Sequence, residues 1–313
     1  MVLVLSVMAA VAPSRKPELS GEVRIMFWNV ENFFDYIDGG AGESDTEFSP
    51  GGARRWTRKR FYRKCHAVAK TILWAGDAGA FLPDVVGLAE VENRFVLRQL
   101  VEKTALRKLD YEIVHFDSPD PRGIDCALLY RASRLTLAGA KPCRVSALQT
   151  RDILLAQFLT PAGDSLAVLV NHHPSKYGGG ETDWRREAAV ARLRDLGDSL
   201  AAAGWRRAVA VGDFNDTPDN PVFTRLAPAF SLSRRAGARG SIRFNGEWQL
   251  IDLCFVSPEL AAEASFTVLE PPFLTERDAA HSGERPLRTY SGPRYRGGVS
   301  DHRPVLVRLG GDN

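Results

Sequence analysis

The sequence predicts an α/β fold in which helices and strands pack in layers around a large apolar core. Seven short apolar runs bounded by Gly, Pro or Asn predict buried strands, and two stretches with apolar residues three and four positions apart predict amphipathic helices. Hydrophobic residues make up 44% of the 313 residues and charged residues 25%, the balance of a soluble globular protein. We therefore expect layered α/β packing in a single domain.

The predicted strands extend along the chain from residue 23 to residue 309. They are Val23–Val30, Asp84–Val91, Cys126–Tyr130, Ser165–Val170, Arg207–Val211, Asp252–Val256 and Val305–Leu309. Val, Leu, Ile and Phe dominate these runs, as is typical of buried strands.

The two predicted helices lie between these strands. The apolar positions of the first are Phe61, Cys65, Val68 and Ile72, and those of the second are Ala189, Leu193, Leu196 and Leu200. Gly204 follows the second pattern, where it suits the end of a helix. Two segments rich in Gly and polar residues, Ser44–Gly52 and Glu270–Gly298, predict loops.

The N-terminal segment resembles a secretory leader. Residues 2–12 form a short apolar run that ends in the A-x-A pattern of residues 10–12. The run is too short to span a bilayer. We expect residues 1–20 to be a leader that directs export and residues 21–313 to form one domain; a disordered apolar tail on a cytoplasmic protein is the alternative.

Net charge and cysteine content limit the kinds of partner and metal site that the sequence predicts. The net charge of +3 is too small to indicate a polyanionic partner, although basic residues crowd two stretches, 54–64 and 285–303. Each stretch fits a solvated face or a phosphate-binding surface. The four cysteines include no C-x-x-C pair, which argues against a zinc or redox motif.

Polar residues capable of catalysis fall at the ends of six predicted strands. Four strands end in them and two strands begin with them: the residues are Asn29 with Glu31, Glu90, His172, Asp213 with Asn215, Asp252, and Asp301 with His302. Ligand sites in α/β sheets form beyond the carboxyl ends of strands, and an antiparallel strand brings its first residues to the same edge. One carboxylate at a strand end is usually a turn or cap residue, but six such placements predict a common site.

Asp213 and Asn215 stand two residues apart, so in an extended chain both side chains point the same way. They could then face one substrate atom. The surrounding sequence GDFNDTP is equally good for a turn.

Seven motifs, taken together, give the chain a family resemblance. In order they are FWNVENF from Phe27, GLAEVEN from Gly87, RGIDCALLYR from Arg122, VNHHPSK from Val170, GDFND from Gly212, LIDL from Leu250 and VSDHRPV from Val299. Over residues 24–307 the chain resembles the endonuclease/exonuclease/phosphatase family, in particular its secreted or envelope bacterial members. The resemblance implies the deoxyribonuclease I-like fold, a four-layered α-β-β-α sandwich of two mixed sheets flanked by helices.

The resemblance also implies a metal site and a catalytic group. Glu90 looks like the main metal carboxylate, with Asn29 beside it and Asp301 able to reach the ion. Mg²⁺ is the expected ion, with Mn²⁺ or Ca²⁺ as alternatives, because such ions prefer carboxylate, amide and water oxygens.

The implied catalytic residues are His172, Asp213, Asn215, Asp252 and His302. Asp213 resembles the residue that orients or deprotonates the attacking water, and Asn215 and His172 resemble groups that contact the phosphate. His302 resembles a histidine that Asp252 buttresses. Whether Asp213 or His302 is the base stays open at this point.

Three basic residues beside the motifs are candidates for binding phosphate oxygens: Arg122, Lys176 and Arg296. Each could instead be a surface charge. Asp125 is a possible partner for Arg122 or for a histidine.

The expected function is therefore metal-dependent hydrolysis of a phosphodiester in DNA, RNA or a nucleotide, by a monomer. A phosphatase, or a phosphodiesterase that acts on phospholipid or sphingomyelin head groups, is the alternative within the same family. A non-catalytic binding protein would have lost these polar positions, and here all are present.

Overall fold

Two large mixed β-sheets packed face to face form the centre of the structure. The computed structural model describes residues 21–40, 42–77, 81–176, 182–237 and 239–310, so the predicted leader, residues 1–20, lies outside the described residues. All seven strands predicted from the sequence are present, and Asp252–Val256 and Val305–Leu309 have the predicted bounds.

The first sheet has seven strands in the order β10-β14-β19-β1-β2-β4-β3. With strands numbered in chain order, its members are β1 (Val23–Phe33), β2 (Val85–Val91), β3 (Tyr111–His115), β4 (Asp125–Arg131), β10 (Arg234–Ala236), β14 (Ala264–Val268) and β19 (Val305–Leu309). β1 runs parallel to β2 and antiparallel to β19, so the end of β1 and the start of β19 meet at one edge.

The second sheet has six strands in the order β5-β6-β7-β8-β13-β9. Its members are β5 (Thr136–Cys143), β6 (Ile153–Leu159), β7 (Ser165–His172), β8 (Ala208–Asp213), β9 (Ser231–Leu232) and β13 (Asp252–Val256). β7 and β8 are parallel and β13 is antiparallel to β8, which brings the start of β13 beside the ends of β7 and β8.

Three helices and several small elements complete the described fold. The helices are α1 (Arg58–Asp77), α2 (Arg94–Glu102) and α3 (Asp183–Ala202), and the 3₁₀ helices are Ala105–Lys108, Pro221–Leu226 and Pro272–Leu274. The two-stranded ribbons are β11 (Ile242–Phe244) with β12 (Glu247–Gln249), β15 (Thr275–Arg277) with β16 (Glu284–Pro286), and β17 (Tyr290–Ser291) with β18 (Arg294–Tyr295). The predicted loop Glu270–Gly298 thus contains short ribbons.

The apolar side chains divide into two cores that define the layers. One core lies between the sheets and includes the apolar face of α3, with Val190, Leu193 and Leu196. The other lies between the first sheet and α1 and α2, with Trp28, Phe61 and Leu97. The result is the expected four-layered α-β-β-α sandwich. Full burial of one such side chain is worth about 1.5–3 kcal/mol.

The two sheets pack closely against each other at Gly87 on β2. A Cβ atom at that position would lie 3.0 Å from a methyl group of Val170 on β7 and 3.3 Å from the ring of Phe27. A side chain at position 87 would therefore press against Val170 and Phe27, and Gly87 permits the close packing of β2 on β7.

The start of α2 follows β2 directly and fixes the end of that strand. Asn93 caps the helix, because its Oδ1 accepts from the backbone N–H of Val96 at 3.0 Å. Its Nδ2 donates to Asp35 at 3.0 Å. Asn93 of the GLAEVEN motif is therefore a structural residue.

In the described ranges, no helix has an apolar stretch long enough to cross a membrane.

Candidate active site

The parallel strands β1 and β2 end in irregular backbone that carries three acidic or amide side chains. Asn29 is in register with Ala89, and beyond this pair Glu31, Asn32 and Glu90 have φ values of +48°, +51° and +64°. The turn lets Oε2 of Glu90 accept from the backbone N–H of Asn32 at 2.7 Å. The Glu90 carboxylate is thereby held at the edge of the first sheet.

The second sheet contributes a row of three adjacent strand ends. His172 on β7 is in register with Asp213 on β8, and Asp213 is in register with Asp252 on β13. The antiparallel direction of β13 is what brings its first residue to this edge. The topology therefore places these residues on one edge of the sheet, as the sequence predicted.

Asp213 and Asn215 form a turn and not an extended segment. Asn215 has a φ of +52°, and its backbone N–H donates to Oδ1 of Asp213 at 2.9 Å. Its Nδ2 donates to the carbonyl of His173 at 2.9 Å. Of the two alternatives that the sequence left open, an extended segment and a turn, the turn is the one present, and the side chain of Asp213 closes it. Both residues nevertheless line one pocket.

His302 is held from several sides. Its Nδ1 lies 2.8 Å from Oδ2 of the fully buried Asp252. Its carbonyl accepts from the indole N–H of Trp28 at 2.9 Å, and its N–H donates to Ser300 Oγ at 2.9 Å. Burial disfavours the imidazolium, but the carboxylates of Asp252 and Asp213 outweigh this and hold the pKa of His302 well above its usual range.

Asp213 lies between two histidines and an amide. Its Oδ2 accepts from Asn29 Nδ2 at 3.0 Å and is 3.7 Å from Nε2 of both His172 and His302. Burial raises the pKa of Asp213 to about 7, although His302 favours the carboxylate. A carboxyl group with a pKa near neutrality is suited to proton transfer.

The two neighbouring histidines of β7 differ in role. Burial, assisted by the nearby Arg151, holds the pKa of His172 well below its usual range, so its imidazole is neutral. His172 faces the pocket. His173 is 1% exposed and packs edge-on against Phe214, and burial lowers its pKa to about 3.

A cavity of about 280 Å³ joins the two sheet edges. Its lining is Asn29, Glu31, Asn32, Glu90, Arg122, Arg151, His172, Ser175, Asp213, Asn215, Arg288, Asp301 and His302. Of the predicted catalytic and metal residues only Asp252 is absent from this lining, because it lies behind His302. Three guanidinium groups face carboxylates and imidazoles here, which is a setting for an anionic substrate.

Arg288 was not singled out from the sequence as a site residue. Its Nε and Nη2 donate to Oε1 of Glu31 at 3.0 and 2.8 Å, and Nη2 is 3.1 Å from Oδ2 of Asp301. Burial raises the pKa of Glu31 to about 7. The sequence signal for Arg288 was only its place in a basic stretch, whereas Arg151 gave no signal at all.

Of the three basic residues predicted to bind phosphate oxygens, Arg122 lines the cavity and two do not. Arg122 donates from Nη2 to Asn32 at 2.7 Å and lies 3.3 Å from Glu90 Oε2. Lys176 pairs with Asp216 at 2.7 Å and Arg296 with Glu276 at 2.5 Å, and neither lines the described cavity. Their phosphate-binding role stays a prediction that this geometry does not favour.

Two further polar residues that the sequence marked, Lys64 and Asp125, do not line the cavity. Lys64, in the basic stretch 54–64, is 2% exposed; its Nζ donates to Thr289 Oγ1 at 2.9 Å and to the carbonyl of Glu31. Burial lowers the pKa of Lys64 to about 8. Asp125 accepts from Ser118 and lies 3.1 Å from His115, away from the catalytic histidines.

The donor set fits a hard divalent cation. Glu90 and Asp301 offer carboxylate oxygens, and Asn29 adds an amide whose Oδ1 also accepts from the backbone N–H of Glu31 at 3.0 Å. All three residues line the same open cavity, where water can supply further ligands. A second group, Asp213, Asp252 and His302, has ligand atoms within 4.8 Å of one another. That group is buried and its Nδ1–carboxylate hydrogen bond is already formed, so we favour Glu90 as the ion's main ligand.

The fold and the site together define a hydrolase of phosphoesters, and comparison with known proteins gives the family. The model of the Endonuclease/Exonuclease/phosphatase family matches residues 24–310, so the chain belongs to this family. The members are hydrolases that act on phosphoesters and depend on divalent metals. No curated protein matches the sequence.

Solved structures share the fold at low sequence identity. Truncated TDP2 from Caenorhabditis elegans is 17% identical with a TM-score of 0.60, covering 93% of this chain and 98% of that chain. The human Nocturnin catalytic domain with bound sulfate is 18% identical with a TM-score of 0.58, covering 93% and 95%. The Bacteroides thetaiotaomicron mannosyl-6-phosphatase is 16% identical with a TM-score of 0.58, covering 91% and 98%.

Proposed function

We propose that this protein is a divalent-metal-dependent phosphodiesterase that cleaves nucleic acid or nucleotides. The observation that carries the proposal is one cavity where Glu90 and Asp301 lie beside the Asp213–His302–Asp252 group. A metal ion held by Glu90, Asp301 and Asn29 would neutralise charge on the phosphate and so lower the barrier to attack by water.

The protein's own groups divide the remaining tasks. His302, kept protonated by Asp252, donates to a phosphoryl oxygen where negative charge develops. Asp213, with its pKa near 7, takes the proton of the water that attacks phosphorus, and as the bond from phosphorus to the leaving oxygen breaks, that oxygen takes a proton from solvent. His172 and Asn215 supply neutral hydrogen bonds to the phosphate. Between the two candidates for the base, the pKa directions therefore favour Asp213 over His302.

The arginines support a substrate that carries at least one phosphate. Arg122 and Arg288 flank the carboxylates and each keeps donors for further contacts. The sulfate bound by the Nocturnin domain is an oxyanion similar in shape to phosphate.

A phosphomonoesterase is the second candidate, because the structurally similar Bacteroides protein is a mannosyl-6-phosphatase. For cellular location we keep export as a proposal from the N-terminal sequence alone.

The test is parallel hydrolysis of bis(p-nitrophenyl) phosphate, p-nitrophenyl phosphate and plasmid DNA with Mg²⁺, Mn²⁺ or EDTA. Cleavage of the diester and DNA that EDTA abolishes would support the proposal. Activity on the monoester alone would replace it with the phosphatase. Activity that persists in EDTA would contradict the metal assignment.

A further inference from the structure

A second cavity, of about 540 Å³, opens directly beside the catalytic cavity. The two cavities share Arg122, Arg151 and Ser175 in their linings. A substrate whose scissile phosphate contacts His172 and Asp213 would therefore have its neighbouring groups in this second cavity, which we call the side groove. The side groove is otherwise unexplained by the hydrolytic chemistry.

The far part of the side groove is formed by the first turn of α3. Trp184 is 51% exposed, and the guanidinium carbon of its neighbour Arg185 lies 5.7 Å from the indole ring centroid. Trp184 and Arg185 both line the side groove. Exposed aromatic residues are common singly on protein surfaces, but this one faces a cavity that continues from a catalytic centre.

The charge of the side groove favours an anionic chain. Arg122, Arg151 and Arg185 line it, and the one acidic lining residue, Asp120, is already bound to Arg151 Nη1 at 2.8 Å. Within the described ranges, Arg185 forms no ion pair with a carboxylate. An exposed indole beside one guanidinium group, in a cavity that two further arginines line, is a surface on which a nucleobase can stack while the adjoining phosphate binds arginine.

We propose that the side groove binds the nucleotide next to the scissile phosphate, with its base stacked on Trp184 and its phosphate near Arg185. The substrate class is then a single-stranded polynucleotide rather than a head group or a sugar phosphate. This inference rests on the proposed phosphodiesterase function and adds the substrate to it.

The binding test uses the Asp213→Asn variant with Mg²⁺, so that the probe is not cut. Fluorescence anisotropy measures its affinity for a labelled oligothymidylate and for a strand of equal length whose sugars carry no base. Adding Trp184→Ala should weaken binding of the base-bearing strand by about 5- to 150-fold. The ratio of affinities for the two strands should fall toward one, and Trp184→Phe should restore most of it.

A matched control is available at Phe81. This side chain is 66% exposed, and the guanidinium carbon of Arg24 lies 5.2 Å from its ring centroid. It lies near the start of β1, at the opposite end of the strand from Asn29. Phe81→Ala should leave the affinity ratio of the two strands unchanged.

The outcomes separate this inference from the proposed function. The side groove is not a base-binding site if Trp184→Ala weakens binding of both strands equally or does not weaken binding at all. An effect of Phe81→Ala equal to that of Trp184→Ala would overturn it as well. If the wild-type protein hydrolyses no phosphodiester but its strand preference depends on Trp184, the proposed reaction fails while the side groove is supported. Arg185→Ala should weaken the binding of both strands and reduce the dependence of the affinity on salt concentration.

Discussion

Nδ1 of His302 and Oδ2 of Asp252 lie 2.8 Å apart in the buried region where the two sheets meet. The carboxylate comes from β13 of the second sheet, and the imidazole stands just before β19 of the first. Their hydrogen bond therefore joins the two sheets through the catalytic group. It also selects which imidazole nitrogen faces the cavity, and it favours the charged ring.

Replacing this carboxylate should impair turnover without unfolding the protein. Asp252→Asn keeps the shape of the side chain but removes the charge that raises the pKa of His302. We expect kcat to fall by about 10²- to 10⁴-fold. Imidazole NMR should show a lower pKa for His302. A variant with wild-type kcat would exclude His302 as the charged donor.

Glu90→Gln should remove metal-dependent hydrolysis while keeping the local turn, because the amide oxygen can still accept from Asn32 N–H. We expect kcat/KM to fall by about 10²-fold or more at fixed Mn²⁺. Thermal unfolding should change little. Glu112→Gln, an exposed position on β3, is the control. Equal activity of the two variants over a Mn²⁺ titration would show that Glu90 is not the main ligand of the metal ion.

Arg288→Ala should weaken the enzyme on any phosphoester. Nη1 of Arg288 forms no hydrogen bond to the part of the protein that is described, so it remains available for a phosphate oxygen. A charge-assisted hydrogen bond of this kind corresponds to a loss of about 10- to 100-fold in kcat/KM. Arg294→Ala, in the exposed part of the same segment, should have no effect. If the two variants match, Arg288 serves only to position Glu31.

The buried His173 should make the fold sensitive to acid. Its pKa is about 3 in the folded protein and 6.5 when unfolded, so between these values the unfolded chain binds one more proton. The free energy of unfolding consequently falls as pH falls below 6.5, by about 1.4 kcal/mol per pH unit from this group. His173→Phe should reduce that slope by this amount.

Urea unfolding between pH 4 and pH 8 measures the slope. His172 is also held neutral and remains in the variant, so part of the acid sensitivity should persist. Identical slopes for the wild-type protein and His173→Phe would show that His173 is not buried in its neutral form. The prediction concerns the slope alone, since the larger Phe ring also alters packing against Phe214.

Seven strand cores and the strand-end residues could be predicted because each has a local signal. A run such as that of β8 is apolar throughout, and Asp213 ends it. The helix α2 escaped prediction because nine residues are too few to establish a helical period. β5 escaped because it is an edge strand in which only the last residue is buried.

The missed site residues have a different physical cause. Arg151 and Arg288 come from segments with no period, and their place in the cavity depends on partners distant in sequence, namely Asp120 and Glu31. Lys64 is charged within a helix, which from sequence indicates solvent. Its burial depends on a carbonyl and a hydroxyl supplied by Glu31 and Thr289. Such pairings are properties of the assembled fold.

The catalytic cavity takes Asn29 and Glu90 from the first sheet and His172 and Asp213 from the second, and Gly87 lies where those sheets pack closely against each other. A shift of one sheet against the other would separate Glu90 from Asp213 while every strand kept its own hydrogen bonds. Because catalysis tolerates displacements of about 1 Å poorly, turnover is the most sensitive gauge of how the core is packed. Activity should disappear on mild loosening of the sandwich, well before the secondary structure is lost.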